Sequence, residues 1–160
     1  PYKILRAAQP HIKRLFLEEK ENGITNFRKV VNISSTSGMF GNAGQINYAT
    51  AKAGVVGMAK TMAKEWGRYN VNVNAVGFGL IKTRLTDADA EKEESLIDIE
   101  GNKIKVGVNS AVFQSAKTMI PLGRPGTPQE AAGAIYMFCI PESNYVTGQI
   151  LMCHGGGFGY

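Results

Sequence analysis

Apolar and polar positions switch between two periods along the chain. In PYKILRAAQPHIKRLFLEE the apolar residues Ile4, Leu5, Ala8, Ile12, Leu15 and Phe16 recur at helical spacing and predict an opening helix. FRKVVNISS is a short, β-branched run between Asn26 and a Ser/Thr/Gly cluster, and it predicts a buried parallel strand over 28–34. Helical spacing returns from Gln45 to Trp66, where Ala49, Ala53, Val56, Ala59, Ala63 and Trp66 form a small-residue face that permits close packing. VNVNAV at 71–76 reads as strand again. Residues 80–120 hold the acidic stretch TDADAEKEES and then Gly and Asn turns, and they predict a long excursion off the core. TPQEAAGAIYMFCI opens on Thr127 with Glu130 three residues later, a capping-box signature, and predicts a helix running to Pro141. GQILMC then predicts a final strand.

Strands alternating with helices specify an α/β fold, a doubly wound parallel sheet with right-handed crossovers. Ligands bind such sheets beyond the carboxyl ends of the strands. Two segments occupy that position. SSTSGMFGNAGQINYATAK (34–52) follows the first strand and GFGLIKT (77–83) follows the second, so both face one crevice.

Composition narrows the function classes. A chain of 160 residues fits one domain and can bury about 70% of its unfolded surface. Apolar residues at 44% and charged residues at 19% indicate a globular chain rather than a disordered one. The two cysteines, Cys139 and Cys153, lack metal-ligand spacing and suggest a reducing compartment, with Cys139 expected to be buried in AIYMFCI. His11 and His154 stand apart, so no metal site is expected. The net charge of +5 comes from scattered lysines and arginines without interleaved aromatics. That pattern argues against nucleic acid and for a mildly cationic surface facing anionic substrates. No apolar run reaches the ~20 residues of a membrane-spanning helix.

Tyr48 and Lys52 carry the candidate chemistry. At i and i+4 on a helix they project from one face, about 5–6 Å apart at Cβ, so an ammonium can act on a phenol. A free phenol has a pKa near 10, and bringing it to neutrality requires ~4 kcal/mol of preferential phenolate stabilisation. One unit charge at ~4 Å in an effective dielectric of 20 supplies about that much. A second cation, such as an oxidised nicotinamide ring, would help. Tyr-x-x-x-Lys alone is more often the pattern of a solvated helical pair than of a catalytic one.

The surrounding order of motifs decides between these readings. Ser35 stands thirteen residues before Tyr48 at a strand end, and GQINYATAKAGVVGMAKTMAKEW, VNVNAVGFG with IKT, IPLGRPGTPQEAA and YVTGQIL follow in turn. This order resembles the short-chain dehydrogenase/reductase family over nearly the whole chain, with 3-oxoacyl-carrier-protein reductases the most similar in look. The resemblance implies the C-terminal half of a Rossmann-type three-layer domain, residues 1–160, that uses NAD or NADP. It implies a carbonyl or alcohol substrate, an acyl thioester among the possibilities, a cytoplasmic location, and assembly as a dimer or tetramer. In catalysis Tyr48 would exchange a proton with the substrate oxygen and Ser35 would hydrogen-bond that oxygen. Lys52 would lower the phenol's pKa and bind the nicotinamide ribose, while Gly79, Ile81 and Thr83 would hold the carboxamide. Taken singly, Ser35 could cap a turn, Thr83 could cap a helix and Gly79 could mark a bend.

Departures from the family pattern are specific. Phe78 precedes Gly79 where the family has proline, which places a larger side chain towards the cofactor region. His154 replaces an acidic residue, and Ser37 reads as a loop residue. The family's glycine-rich phosphate loop and its catalytic asparagine would fall before Pro1, and GGGFGY opens no helix that could substitute. The alternative to an oxidoreductase is a non-catalytic, truncated dehydrogenase-like protein that serves oligomerisation or interaction.

Overall fold

A computed structural model of the chain describes residues 1–83, 96–99, 102–105, 115 and 118–157. The opening helix α1 (Tyr2–Glu21) turns Leu5 and Ile12 towards the core and sets Phe16 edge-on to Tyr69 at 5.7 Å. Ile4 and Leu15 belong to the same apolar stripe yet remain exposed, because the stripe is wider than the face this helix buries. Its last turn is tied to the next strand by a bidentate pair, with Arg28 Nη1 donating to Glu19 Oε2 at 2.9 Å. Hydrogen bonds from Arg28 and then Asn26 hold the Glu19 carboxyl below its ordinary range.

Strand β1 (Arg28–Ser35) pairs in parallel with β2 (Val71–Phe78), from Arg28 opposite Val71 to Ser35 opposite Phe78. β1 ends in the short helix α2 (Thr36–Phe40), and α3 (Ile46–Trp66) carries the chain back to β2. The turn into β2 puts Asn70 in the left-handed region at φ 55°, a conformation that asparagine tolerates. Beyond β2 lie the antiparallel strands β3 (Leu96–Ile99) and β4 (Asn102–Lys105), then helix α4 (Pro128–Tyr136) and strand β5 (Ile150–Cys153). β5 pairs in parallel with the second half of β2, giving the sheet order β1-β2-β5.

Side-chain alternation along β2 builds two cores. Val71, Val73 and Ala75 face Ala59, Met62, Ala63 and Trp66 of α3, and Leu5 and Ile12 of α1 join them. Val76 faces the other way, onto Ala134 and Phe138. Helices α1 and α3 therefore cover one face and α4 the other, which is the three-layer α/β arrangement expected. Of the six residues on the α3 face, Ala59, Ala63 and Trp66 are buried and Ala53 is exposed.

The structure corrects several expectations. The steps β1 to β2 and β2 to β5 advance in one direction while their helices lie on opposite faces, so the two crossovers have opposite hands. Strand twist fixes the hand only when a strand feeds its helix directly. Residues 79–127 separate β2 from α4 and release the second step from that constraint. The excursion also contains the β3–β4 hairpin, whereas its acidic run at 86–95 lies outside the described residues. β1 reaches Ser35 and β2 reaches Phe78, each beyond its expected end. α4 stops at Tyr136 instead of reaching Pro141, because the proline holds Ile140 extended at ψ 155°. Ala134 and Phe138 occupy the sheet-facing positions of this segment, so Cys139 turns outward and is exposed rather than buried.

The cap of α4 matches its signature. Thr127 Oγ1 accepts from the Glu130 N–H at 3.2 Å, and Glu130 Oε2 accepts from the Thr127 N–H at 2.8 Å and from Arg124 at 2.8 Å. Arg124 first, then the Thr127 N–H, lowers the Glu130 carboxyl from 4.5 to about 2. A lowered folded-state value means that the contribution is present above the ordinary carboxylate range and is lost as pH falls towards the lowered value. Glu130→Gln is therefore expected to reduce the urea midpoint at pH 7 but to match the parent near pH 2. Parallel urea titrations at the two pH values check this, and an equal gap at both would remove the assignment.

Candidate active site

The carboxyl ends of β1 and β2 gather the candidate residues. Ser35, the last residue of β1, is buried, and its Oγ accepts from the Ser37 N–H at 3.2 Å, so it caps α2 as well as ending the strand. The short α2 then packs against the first turns of α3. A methyl group on Gly38 would fall 2.6 Å from Lys52 Cβ, 2.7 Å from the Lys52 carbonyl carbon and 2.8 Å from the Ala53 nitrogen. Only glycine permits that approach. Ser34 Oγ donates to the Lys52 carbonyl at 2.9 Å, a second tie between β1 and the same turn of α3.

The loop between α2 and α3 is held by Gln45, whose Oε1 accepts from Ser37 Oγ at 2.9 Å and from Asn42 Nδ2 at 3.1 Å. Ser37 is therefore an α2 residue that positions the entry to α3, not a loop residue. One turn into α3, Tyr48 is 43% exposed, and its hydroxyl has no hydrogen-bond partner among the described residues. The phenol is open to a ligand. Lys52 Nζ lies 5.6 Å from the centroid of the Tyr48 ring, a cation–π distance, and donates to the Ile33 carbonyl at 3.0 Å. The helix thus sets the ammonium beside the phenol, with its donor directed at β1.

The second segment converges on the same end. Gly79 donates its N–H to the Cys153 carbonyl at 3.0 Å, and a Cβ there would lie 2.7 Å from His154 Cβ and 3.7 Å from Thr36 Cγ2. Gly79 therefore sits between β5 and the residue that follows Ser35. Ile81 pairs as a parallel bridge with Gly126, which receives the Lys82 N–H at 2.8 Å and donates to the Leu80 carbonyl at 3.0 Å. Those bonds fix residues 80–82, and Thr83 follows them on the exposed surface.

Two departures acquire a structural account. The half-buried Phe78 packs with Val76, Ala134 and Phe138, so its ring joins the core under α4 instead of facing the cofactor region. His154 Nδ1 accepts from the Gly156 N–H at 3.0 Å, and Gly155 and Gly156 take φ of 66° and 82°. His154 thus closes the tight turn after β5. Burial raises the Cys153 thiol above its ordinary range.

Sequence reasoning passed over Ser34, Gly38 and Gln45, which do not bear the candidate chemistry but fix where Lys52 and Tyr48 stand. Among the described residues no group of three or more His, Cys, Asp or Glu could hold a metal ion, and no helix is long and apolar enough to cross a membrane.

The three-layer α/β fold thus carries an exposed phenol, an adjacent ammonium and a buried serine at the carboxyl edge of its parallel sheet. The family model described as enoyl-(acyl carrier protein) reductase matches residues 11–157, and the chain belongs to that family of short-chain dehydrogenases/reductases. It is 42% identical over 127 residues to the 3-oxoacyl-[acyl-carrier-protein] reductase of Thermotoga maritima, covering 79% of this chain and 44% of the relative. It is 38% identical to the Aquifex aeolicus reductase of the same name, over 81% of this chain and 45% of the relative. With the Synechocystis 3-oxoacyl-[acyl-carrier-protein] reductase it shares 36% identity over 91% of this chain and 48% of the relative. The chain thus spans about half the length of the curated relatives it matches. Among solved structures, 4-hydroxyisoleucine dehydrogenase complexed with NADH superposes with a TM-score of 0.63 at 23% identity, over 90% of this chain and 51% of that one. That likeness is one of fold.

Proposed function

We propose that the chain forms the catalytic portion of an NAD(P)-dependent oxidoreductase that interconverts a carbonyl and a secondary alcohol, with a 3-oxoacyl thioester as substrate. The observation that carries the reading is the exposed, unpartnered Tyr48 phenol beside Lys52. Both stand at the carboxyl end of the parallel sheet where Ser35 ends β1. The names of the curated relatives support the thioester, and the net charge of +5 suits an anionic carrier.

The donor set fits a nicotinamide cofactor: Tyr48 offers an exposed hydroxyl and Lys52 an ammonium beside it, the chemistry that ribose hydroxyls require. Lys52 and Tyr48 would hold the ribose, and Ile81, Thr83 and the Gly79 carbonyl the carboxamide, since the Gly79 N–H is engaged by Cys153. Bound there, the nicotinamide supplies or accepts the hydride. Tyr48 gives its proton to the substrate oxygen in reduction and removes it in oxidation. Ser35 donates to the same oxygen as charge develops on it, and its fixed place at the strand end removes the cost of orienting it then.

Lys52→Met tests the assignment. It is expected to weaken NAD(P)H binding and to move the basic limb of the reductive pH–rate profile to higher pH, because the phenol loses its cationic neighbour and keeps its proton longer. Fluorescence titration and steady-state rates across pH read both. Unchanged affinity with an unchanged profile would make Lys52 a structural residue.

Within this reading the protein works in the cytoplasm as a dimer or tetramer. Exposed Tyr2, Ile4, Leu15 and Leu17 on α1 and Ile46 on α3 supply an apolar surface for two-fold pairing. Sedimentation equilibrium is expected to return a dimer or larger species, and a monodisperse monomer at micromolar concentration would remove the assembly. Association without any dinucleotide binding would instead favour an interaction protein.

A further inference from the structure

A second lysine with chemistry of its own stands at the other end of the sheet. Lys29, the second residue of β1, pairs with Asn72 at the start of β2, six residues or about 20 Å along the strand from Ser35. Alternation along β1 turns it to the face that Val31 occupies under α4, away from the α1–α3 face of Val30. Its half-buried ammonium donates to Asn72 Oδ1 at 3.1 Å and to Ser143 Oγ at 3.2 Å, and the Phe27 ring lies 6.0 Å away. Both acceptors are neutral. Among the described residues no carboxylate pairs with Lys29, so a cation partly removed from water has no counter-charge. Burial holds this ammonium below its ordinary range, against an opposing influence of the Cys139 thiol.

Cys139 is a second nucleophile, and a different element brings it to the first. Ser143 Oγ, which accepts from Lys29, lies 2.9 Å from the Phe138 carbonyl and 2.7 Å from the Ile140 carbonyl. Those residues flank Cys139, so one hydroxyl separates the amine from the turn that carries the thiol. The thiol is exposed and donates only to the Ile135 carbonyl, at 3.5 Å. Cys153 differs: it is half-buried, and burial raises its thiol. Neither Lys29 nor Cys139 has a part in the acid–base chemistry at the opposite end of the strands.

A lysine whose charged form is disfavoured presents the neutral amine, the form that attacks a carbonyl carbon. An accessible cysteine attacks thioesters through its thiolate. We infer that Lys29 is an acylation site of this chain, that the acyl groups come from thioesters, and that Cys139 relays them. In the first step the Cys139 sulfur bonds to the acyl carbon as the donor's C–S bond breaks, and the donor thiolate leaves and takes up the cysteine's proton. In the second the neutral Lys29 amine attacks the same carbon, its N–C bond replaces the S–C bond, and its proton returns to the Cys139 sulfur. The products are a lysine amide and the donor's free thiol, and no oxidant or reductant takes part. The second step is intramolecular, which is the advantage of holding the two groups together. The acylated nitrogen keeps one N–H and no charge, so it no longer donates to Asn72 and Ser143 together, and the tie between the sheet and the segment after α4 is weakened. The pair stands on geometry, and only the choice of a thioester as donor rests on the function proposed above.

The test incubates the 160-residue chain at mildly alkaline pH with acetyl-coenzyme A and, in a parallel arm, with acetylated acyl carrier protein, and maps the products by peptide mass spectrometry. In at least one arm Lys29 is expected to gain a hydroxylamine-stable acetyl group at least ~10-fold faster than the exposed Lys13, Lys60 and Lys64. The arm that reacts identifies the donor. Cys139→Ala, at an exposed position, should bring Lys29 down to the rate of those lysines. Lys29→Arg keeps the charge and the donors but blocks the second step, so a hydroxylamine-labile acetyl group should collect on Cys139 and not on Cys153. Lys29 reacting no faster than the exposed lysines in either arm overturns the proposal. An unchanged Lys29 rate in Cys139→Ala, or the absence of a thioester on Cys139 in Lys29→Arg, overturns the relay. Acetylation of Lys29 through Cys139 in a chain that reduces no carbonyl substrate leaves this inference standing and counts only against the oxidoreductase reading.

Discussion

Tyr48→Phe, assayed in a chain that carries the complete dehydrogenase sheet, is expected to lower the turnover of a 3-oxoacyl thioester at least ~100-fold, with a much smaller loss of NADPH affinity because Lys52 still holds the ribose. The phenylalanine keeps the ring under the Lys52 ammonium, 5.6 Å from its centroid, and removes only the hydroxyl. Every tie that places residue 48 also survives, because Gln45 and Gly38 hold the helix through groups other than the phenol. What is lost is the proton donor. General acid catalysis contributes roughly 10²–10⁴-fold, so the expected loss lies at the lower end of that range. Both kcat and kcat/KM should fall together, as they do when an interaction made only in the transition state is removed. Steady-state kinetics read the outcome. Retention of more than about a tenth of the parent turnover would falsify tyrosine acid–base chemistry at this site.

The parts of this site that could be read from the sequence are those that periodicity encodes. FRKVVNISS and VNVNAV are β-branched runs too short for helices, and they form β1 and β2. Tyr48 and Lys52 stand four apart on a helix whose apolar face could be counted, so their common side followed directly. Thr127 and Glu130 form a local cap, and the structure makes both of its hydrogen bonds.

What stayed hidden depends on contacts between elements distant in the chain. Gly38 looks like any loop glycine until α2 is packed against Lys52, and Ser34 looks like any strand-end hydroxyl until α3 offers it a carbonyl. Leu96–Ile99 and Asn102–Lys105 alternate as strands should, but so briefly and beside such charged sequence that composition outweighed period. The outward turn of Cys139 required knowing that Ala134 and Phe138 take the sheet-facing positions. The bond from Lys52 to the Ile33 carbonyl has no sequence signal at all, because it joins α3 to a strand 19 residues earlier.

Gly38→Ala should show how strongly that hidden packing governs the visible chemistry. The added methyl would lie at 2.6–2.8 Å from Lys52 Cβ, the Lys52 carbonyl carbon and the Ala53 nitrogen, and two of those three atoms are backbone. No rotamer change relieves the clash. Either α2 or the first turns of α3 must shift, and overpacking of this kind costs about 1–3 kcal/mol. A shift of α3 carries Lys52 and Tyr48 away from Ser35 together, whereas a shift of α2 disturbs the Ser37–Gln45 bond that sets the entry to α3. Displacement of catalytic groups by ~1 Å can cost on the order of 100-fold in rate. The expected result is therefore a chain that still folds, with a lower urea midpoint, and that loses roughly 100-fold in turnover although no reacting group has been changed. Gly54→Ala is the matched control, since a methyl group there meets nothing within 4 Å and helix propensity favours it. Equal turnover in the two variants would show that α2 yields without moving α3, and would separate the stability of this contact from any part in positioning Lys52.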